Sequence, residues 1–327
     1  MKILVTGSSG HLGEALMRRL RATEQEAVGV DLVEGPYTDR VGSIVERAFV
    51  ADVVDGCDAV LHTATLHKPH VATHSAQAFV DTNVTGTLHL LEEAVRAGGV
   101  PLIFTSTTST FGAALVPPAD EPAAWITEDV RPIPKNIYGV TKSAAEDLCE
   151  LFHRREGLPC LVLKTSRFFP EPDDNATTRE TFEDLNAKVN ELLYRRVDVE
   201  DAAEAHLMAV DRVAALGFGK YILSATTPFT EDDLPRLRTD PGPVVARYVD
   251  YLDEYERRGW HLGEGFDRIY VNARARRDLG WEPRYSFAHA IEKLRADEWP
   301  FSQLMLDVGA KGYHPGQTFE GGPYPVG

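Results

Sequence analysis

The sequence predicts an α/β fold in which a doubly wound parallel sheet carries a smaller, interleaved C-terminal lobe. Apolar runs and amphipathic segments alternate through about residue 165, which is typical of parallel strands joined by helical crossovers. A glycine-rich turn at 7–13 follows the first apolar run and opens the first amphipathic segment. An acidic residue, Asp31, ends the second run. Together these features indicate a Rossmann-type sheet whose ligand lies at the carboxyl ends of the strands.

The individual elements follow from the spacing of their apolar residues. Ile3, Leu4 and Val5 are continuous, as in a strand that is buried on both faces of a sheet. Leu12 and Leu16 recur at helical spacing directly after the glycines. The predicted strands are 2–6, 27–31, 58–62, 100–106 and 160–165, and the predicted helices are 11–22, 46–54, 76–97 and 138–156.

Beyond about residue 165 the alternation becomes irregular, as expected of a substrate lobe interleaved with elements that return to the sheet. The proline-rich stretch 116–134 is predicted to form a loop near the active site. We expect a dinucleotide-binding domain at 1–165 with returning elements near 195–215, a lobe at 166–194 and 216–299, and an extended Gly- and Pro-rich tail at 300–327.

The first turn has the glycine spacing of a phosphate-binding loop. Gly7 permits a tight turn, Gly10 lets backbone N–H groups approach a pyrophosphate, and Gly13 allows a helix to pack closely on the strand. A glycine-rich turn without a ligand is the alternative, but the required order of strand, glycines and helix is present. These residues therefore predict a dinucleotide site.

Asp31 bears on which dinucleotide binds. An acid at the end of the second strand accepts hydrogen bonds from the adenosine ribose and repels a 2′-phosphate, which favours NAD over NADP. A loop or capping carboxylate is the alternative for this residue. Arg40 lies too far along the chain to argue strongly for NADP.

Tyr138 and Lys142 are four residues apart in a predicted helix, so both lie on one face, one turn from each other. A free tyrosine has a pKa of about 10, and a neighbouring cation favours the phenolate. The pair is therefore a candidate for proton transfer at neutral pH. A core tyrosine on an amphipathic helix is the alternative.

Several further motifs accompany this pair. They are the spacing Thr6-Gly7-x-x-Gly10-x-x-Gly13 and the segments 57–64, 81–87, 103–112, 197–206 and 279–283. The combination resembles the extended branch of the short-chain dehydrogenase/reductase superfamily, the NAD-dependent epimerase/dehydratase family. The resemblance spans about residues 1–295.

The resemblance implies reversible hydride transfer between a secondary alcohol and bound NAD. It makes Tyr138 the general acid or base, and Lys142 the residue that lowers the pKa of the phenol and holds the ribose. Thr107 would donate to the substrate oxygen, and Thr108 and Ser109 are close enough in sequence to be alternatives for that role. The cofactor residues it implies are Gly7, Ser9, Gly10, His11, Leu12, Gly13, Asp31, Ser43, Thr63, Ala64, Asn83, Tyr138 and Lys142.

The substrate end departs from the family pattern. The segment between Lys164 and Val197 is shorter than in nucleotide-sugar enzymes, and Arg167 stands where the family often has asparagine. Arg167 could bind a carboxylate or phosphate, or form a surface ion pair with Asp173 or Glu171. Thr108, His67 and Arg167 are therefore the candidate substrate contacts.

The histidines at 62, 67, 70 and 74 match no established zinc spacing, so we expect no metal.

The composition restricts the partners. Fifty acidic and 34 basic residues give a net charge of −16, which argues against nucleic acid and anionic membranes. Three cysteines without paired spacing and an immediate first strand suit a reduced, cytoplasmic protein.

Apolar residues recur along helices 76–97 and 138–156, and the resemblance implies that these helices pair in a homodimer.

Three functions remain open at this stage. An epimerase would oxidise and re-reduce a sugar-like substrate and keep NAD bound, with a nucleotide-sugar 4-epimerase as its best-known form. A simple dehydrogenase would release NADH at each turnover. A non-catalytic NAD-sensing regulator is disfavoured because Tyr138 and Lys142 are both present.

Overall fold

The computed structural model describes residues 1–312, so the part of the expected tail at 313–327 lies outside the described residues. Within this range the chain forms a seven-stranded, wholly parallel sheet in the order β3-β2-β1-β4-β5-β7-β8 and a two-stranded sheet of β6 and β9. The strands are β1 Lys2–Thr6, β2 Glu26–Asp31, β3 Arg40–Val41, β4 Ala59–His62, β5 Leu102–Thr107, β6 Ala124–Ile126, β7 Cys160–Thr165, β8 Phe218–Leu223 and β9 Arg268–Tyr270.

The expected doubly wound arrangement is confirmed, because helices cover both faces of the main sheet. The helices are α1 His11–Arg21, α2 Arg47–Val54, α3 Ala76–Phe79, α4 Gly86–Arg96, α5 Ile137–Glu156, α6 Ala176–Thr181, α7 Asp184–Glu191, α8 Val199–Leu216, α9 Leu234–Leu237, α10 Pro241–Tyr248, α11 Leu252–Arg258, α12 Ala273–Leu279, α13 Phe287–Arg295 and α14 Gln303–Val308.

Alternate residues of each central strand enter two separate apolar layers. In β1, Ile3 and Val5 pack in the layer that contains α1 and α8, whereas Leu4 packs in the layer of α2, α4 and α5. This two-sided burial explains why the central strands are continuous apolar runs rather than alternating ones. The predicted strands accordingly match the observed ones within two residues at every end.

The ligand site is positioned by the point at which the strand order reverses. β1 lies between β2 and β4, with Thr6 opposite Val30 on one side and His62 on the other. The chain leaves β1 toward one edge of the sheet and returns at β4, so the loops after these two strands diverge. Gly7 and Thr63 begin these loops at the carboxyl edge.

The structure differs from three of the sequence expectations. β8 is the last strand of the main sheet, although it was expected in the lobe at 216–299. The stretch 116–134 is not only a loop, because β6 lies within it and pairs with β9. Residues 300–312 are not simply extended: they include α14, whose Met305 and Val308 are buried.

No helix among residues 1–312 has the length and apolar character that crossing a membrane requires. The predicted helix 76–97 is continuous, but it is built from α3, a π-helical turn at Val80–Thr85 and α4. The π turn carries Asn83, one of the expected cofactor residues.

Candidate active site

A cavity of about 850 Å³ opens at the carboxyl edge of the main sheet, where the strand order predicts a ligand. Most of the expected site residues line it. Those that do are Gly7, Ser9, Gly10, His11, Leu12, Gly13, Asp31, Ser43, Thr63, Ala64, His67, Thr107, Thr108, Tyr138 and Arg167. Asn83 and Lys142 are not in the lining and lie behind it.

The glycine turn is shaped by close backbone contacts. Gly7 has a φ of +76°, and a Cβ there would lie 2.7 Å from the backbone nitrogen of Ala64. A Cβ on Gly13 would lie 1.9 Å from the carbonyl oxygen of Gly7. Side chains are therefore excluded where α1 meets β1. The first N–H groups of α1 have no acceptor within the helix and face the cavity, which fits a dinucleotide pyrophosphate.

Asp31 lies at the end of β2 with a fixed carboxylate. The backbone N–H of Ser9 donates to its Oδ2 at 2.9 Å, and the N–H of Val33 donates to its Oδ1 at 3.0 Å. Arg40 does not line the cavity and pairs with Asp52 at 2.5 Å. This negative wall fits the ribose hydroxyls of NAD and disfavours a 2′-phosphate.

Tyr138 lies in the first turn of α5, which Asn136 caps by accepting a hydrogen bond from Gly139 N–H at 3.0 Å. The phenol lines the cavity and is only 3% exposed. Burial raises the pKa of the Tyr138 phenol well above its ordinary value, and a hydrogen bond with Thr107 lowers it only in part. The structure therefore brings the Tyr138 phenol and the Thr107 hydroxyl together, with the phenol protonated at neutral pH.

Lys142 does not act on the phenol in the way that its spacing predicts. Its Nζ donates to the backbone oxygen of Thr105 at 2.6 Å and lies 4.0 Å from the centre of the Phe104 ring. Burial lowers the pKa of Lys142 to about 7, and the neighbouring Glu146 opposes this shift. The Tyr138 pKa is accordingly raised by burial of the phenol and lowered in part by Thr107, rather than lowered by Lys142.

Asn83 organises the wall of the cavity without lining it. Its Oδ1 accepts hydrogen bonds from Leu66 N–H at 2.8 Å and from Thr65 Oγ1 at 2.9 Å. Its Nδ2 donates to Leu66 O at 3.0 Å and to Thr141 Oγ1 at 3.1 Å. Asn83 therefore ties the loop after β4 to α5, and this placement makes its proposed contribution to cofactor binding indirect.

A buried ion pair beneath the site was missed by sequence reasoning. Lys164 Nζ lies 2.5 Å from Glu146 Oε1, and Ser106 Oγ donates to the same oxygen at 2.5 Å. Both charged side chains are at most 2% exposed. Glu146 lies one helical turn beyond Lys142 and therefore on the same face of α5. This spacing is the one feature of the sequence that could have indicated that Glu146 lies near the site. The pair joins β5, α5 and β7 directly below Thr107.

His67 lies against the proposed catalytic tyrosine. Its ring centre is 5.0 Å from that of Tyr138 and 4.8 Å from that of Phe169. The backbone N–H of His67 donates to His70 Nδ1 at 2.8 Å, which fixes the loop. Burial lowers the pKa of the His67 imidazole well below its ordinary value. The ring therefore faces the cavity in its neutral form.

Three arginines line the substrate end of the cavity. Arg167 lies 3.3 Å from Asp174 Oδ1 and 3.6 Å from Asp173 Oδ2, and Arg195 lies 2.5 Å from Glu191 Oε1. Arg167 thus pairs with Asp173, one of the two partners considered for it, but the pair is largely buried and Arg167 also lines the cavity.

The third cation, Arg268 in β9, has no ion pair with any carboxylate of residues 1–312. Sequence reasoning missed it, because the lobe brings this strand to the site only through its pairing with β6.

Four buried polar atoms around this end have no hydrogen-bond partner among the described residues. They are Ser166 Oγ, Arg167 Nε, Arg195 Nε and Arg268 Nε. Unpartnered buried donors are costly and rare in folded proteins. Because all four residues line the cavity, this end is suited to a polar ligand. No group of three or more His, Cys, Asp or Glu side chains among residues 1–312 is arranged to hold a metal ion.

Comparisons with known proteins agree with this geometry. The sequence profile of the NAD dependent epimerase/dehydratase family matches residues 3–222. The chain is 27% identical to a UDP-glucose 4-epimerase of Rhizobium meliloti, over 89% of the chain and 94% of that protein. It is 26% identical to a uronate dehydrogenase of Pseudomonas syringae pv. tomato, over 59% of the chain and 70% of that protein.

The fold is shared with solved structures. A short-chain dehydrogenase/reductase superfamily protein from Agrobacterium tumefaciens, solved with bound NAD, superposes with a TM-score of 0.63 at 21% identity, covering 91% of this chain and 98% of that one. The family profile spans more than half of the 327 residues. The chain therefore belongs to the NAD-dependent epimerase/dehydratase family of extended short-chain dehydrogenases/reductases and is an NAD-dependent enzyme.

Proposed function

We propose that this enzyme transfers hydride reversibly between NAD and a secondary alcohol or carbonyl carbon of a small, sugar-like substrate that carries an anionic group. Bound NAD supplies the hydride acceptor or donor. The glycine turn and Asp31 would hold the dinucleotide, and the cavity between Tyr138 and the three arginines would hold the substrate.

Tyr138 would exchange the proton of the substrate oxygen. In oxidation, the Tyr138 phenolate would take the O–H proton of the substrate as the alcohol carbon loses its hydride and becomes a carbonyl carbon. Thr107, which is hydrogen-bonded to the phenol, would orient the substrate oxygen between the two side chains. Because burial raises the pKa of the Tyr138 phenol, the protonated form would serve reduction directly, whereas oxidation would need the phenolate, whose fraction grows with pH.

The unpartnered arginine donors carry the proposal for the substrate. Guanidinium groups bind carboxylates and phosphates through paired N–H donors, and Arg268 is the lining arginine that no described carboxylate neutralises. A sugar acid supplies such a group, and one relative is named as a uronate dehydrogenase. The same cavity has to hold the dinucleotide as well, which favours a monosaccharide-sized substrate over a nucleotide sugar.

A substrate panel tests the proposal. Uronates, aldonates, sugar phosphates and the corresponding neutral sugars are offered with NAD, and NADH formation is followed. We expect turnover of at least one acidic sugar and much slower turnover of its neutral counterpart. Turnover confined to neutral sugars would contradict the anionic subsite.

Arg268 allows a matched comparison. Arg268→Gln should raise KM for the acidic sugar by roughly ten- to hundred-fold, as expected when a charged hydrogen bond is lost. Arg268→Lys should restore part of the loss. Arg236→Gln is the control, because Arg236 is in the same lobe but pairs with Asp240 outside the cavity.

A nucleotide-sugar 4-epimerase with retained NAD is the second candidate function, favoured by the near full-length match to a UDP-glucose 4-epimerase. Mass spectrometry of the cofactor extracted from the purified protein separates the two. Retained NAD together with interconversion of UDP-sugars would support the epimerase. A non-catalytic NAD sensor would bind NAD and turn over no member of either panel.

A further inference from the structure

The C-terminal segment crosses the dinucleotide half of the cavity. Phe301 is buried, and Ser302 N–H donates to Asp198 Oδ2 at 2.9 Å. α14 then packs against α1 and α8 through Met305 and Val308. At Gly309, with a φ of +63°, the chain leaves the helix, and Lys311 and Gly312 reach the cavity lining. We call residues 309–312 the strap.

One carboxylate oxygen accepts two backbone hydrogen bonds from the strap. Glu171 Oε1 accepts hydrogen bonds from the backbone N–H of Lys311 at 2.9 Å and of Gly312 at 3.2 Å. The same oxygen lies 2.8 Å from His11 Nε2 in the first turn of α1. Glu171 thus links the strap to the start of the helix whose N–H groups face the cavity.

A second contact fixes the strap to the same helix. Lys311 Nζ lies 2.5 Å from Glu14 Oε2, and Glu14 also pairs with Arg18 at 2.8 Å. Arg18 in turn donates to the backbone oxygen of Asp307 at 3.1 Å. All of these groups lie on α1 or on the C-terminal segment, so the strap and the glycine turn are held as one unit.

We propose that the strap is part of the cofactor site and slows release of the dinucleotide, with Glu171 as the clasp that holds it closed. His11, Lys311 and Gly312 line the cavity beside the N-terminus of α1, where the pyrophosphate is expected. A ligand seated there lies under the strap and leaves only when the contacts to Glu171 and Glu14 open.

The charge on Glu171 suits a clasp. Although burial acts to raise it, the pKa of the Glu171 carboxyl is lowered to about 2 by His11 and by the backbone N–H groups of Lys311 and of Glu171 itself. The carboxylate is therefore ionised across the working pH range, and hydrogen bonds to a charged acceptor are about twice as strong as neutral ones. The proposal rests on the NAD-dependent function above, but it does not depend on which substrate is used.

Dissociation of NADH measures the strap directly. NADH-loaded protein is mixed with excess NAD, and the loss of NADH fluorescence gives the dissociation rate. A chain that ends at Gly309 lacks the residues held by Glu171, whereas a chain that ends at Gly312 keeps them and is the matched control. We expect the first to release NADH at least tenfold faster than the second, which corresponds to about 1.4 kcal/mol. Rates within twofold of each other would overturn the proposal.

A double-mutant cycle separates the clasp from a general effect of Glu171 on His11. Glu171→Ala should speed release in the chain that ends at Gly312 and have little further effect in the chain that ends at Gly309. Equal effects in both chains would show that Glu171 acts through α1 alone, and the clasp would be wrong. Circular dichroism and the melting temperature of each unliganded variant establish that it is folded.

Failure of the proposed function gives a different result. If no sugar is turned over, NADH release still reports on the strap, because the measurement needs only bound cofactor. If the shorter chain releases NADH at the control rate while an acidic sugar is turned over, the proposed role of the strap is wrong and the proposed function is supported.

Discussion

Lys142 Nζ donates a 2.6 Å hydrogen bond to the backbone oxygen of Thr105, two residues before the Thr107 hydroxyl that contacts Tyr138. The lysine therefore connects α5 to β5 from behind the cavity wall, while Tyr138 one turn earlier faces the cavity. The four-residue spacing places both residues on one face of α5, but only Tyr138 lines the cavity. The Tyr138 phenol faces the cavity, and Lys142 holds the strand that carries Thr107.

Tyr138→Phe should reduce kcat by on the order of 10²- to 10⁴-fold and leave NAD affinity nearly intact, because the ring survives and only the transferable proton is lost. Steady-state kinetics and NAD titration check both parts. Since the Tyr138 pKa is raised, the phenolate fraction of the wild type grows with pH, so its oxidation rate should rise from pH 7 to pH 9. A variant that retains most of its activity would place the proton donor elsewhere.

Lys142 should make stability depend on pH. Its pKa is about 7 in the folded protein and near 10.5 when unfolded, so the unfolded state binds more protons between these values. Burial of the charge therefore destabilises the fold fully below pH 7, and this destabilisation fades as pH rises toward 10.5. From pH 7 to pH 9 the wild type should gain up to about 1.4 kcal/mol per pH unit relative to Lys142→Met. Urea unfolding at several pH values measures the free energy of unfolding of both proteins. If this free energy changed with pH equally in the two proteins, the lowered pKa of Lys142 would be contradicted.

Asp31 should set the choice of dinucleotide. Asp31→Ala should reduce the affinity for NAD by roughly ten- to hundred-fold, as expected when a hydrogen bond to a charged group is lost. It should therefore also reduce the preference of the enzyme for NAD over NADP. Asp31→Asn is the matched variant, because it removes the charge and keeps the size of the side chain, with one oxygen left to accept from either the Ser9 or the Val33 N–H group. Calorimetric titration of both cofactors checks this, and tighter NADP binding by the wild type would contradict it.

Nucleotide sugars should bind weakly. The single cavity has to hold NAD together with the substrate, and Arg167 and Arg195 are already engaged by Asp173, Asp174 and Glu191. Calorimetry of the NAD-loaded enzyme with UDP and with UDP-glucose should show no binding at micromolar concentration. Micromolar affinity for either would restore nucleotide-sugar 4-epimerase as the leading function.

The chain should form a homodimer through α4 and α5. Leu91 on α4 faces the core, but Leu88 on α4 and Leu151 on α5 are partly exposed and lie outside the apolar core clusters. Val140, also on α5, is 50% exposed. Light scattering at micromolar concentration should give about twice 36.1 kDa, and Leu151→Glu should reduce it to the monomer mass. A monomeric wild type would contradict the prediction.

The central sheet was predictable because its strands are buried on both faces, so apolar runs such as Ile3–Leu4–Val5 carry the signal without help from distant residues. The glycine turn and Asp31 were predictable for a related reason, since their roles depend on a local sequence of strand, turn and helix. Strands of only two or three residues, such as the exposed β3 and the mostly buried β9, are too short to carry this signal and form through pairing with other strands.

The substrate end was less accessible to sequence reasoning for the same physical reason. Arg268 reaches the cavity because β9 pairs with β6, and Lys311 reaches it because α14 packs on α1. Neither contact leaves a periodic pattern in the sequence. The pKa of Tyr138 was also beyond reach, because it depends on the depth of the ring rather than on the four-residue spacing to Lys142.

The π-helical turn at Val80–Thr85 makes this part of the chain sensitive to insertion and deletion. Such a turn accommodates one residue more than an α-helix, and Asn83 makes its four hydrogen bonds from within it. Removing a single residue would restore α-helical geometry and rotate α3 by about 100° relative to α4. Side-chain replacements elsewhere in this helix alter one contact at a time, whereas a change in its length would displace every residue that precedes Asn83.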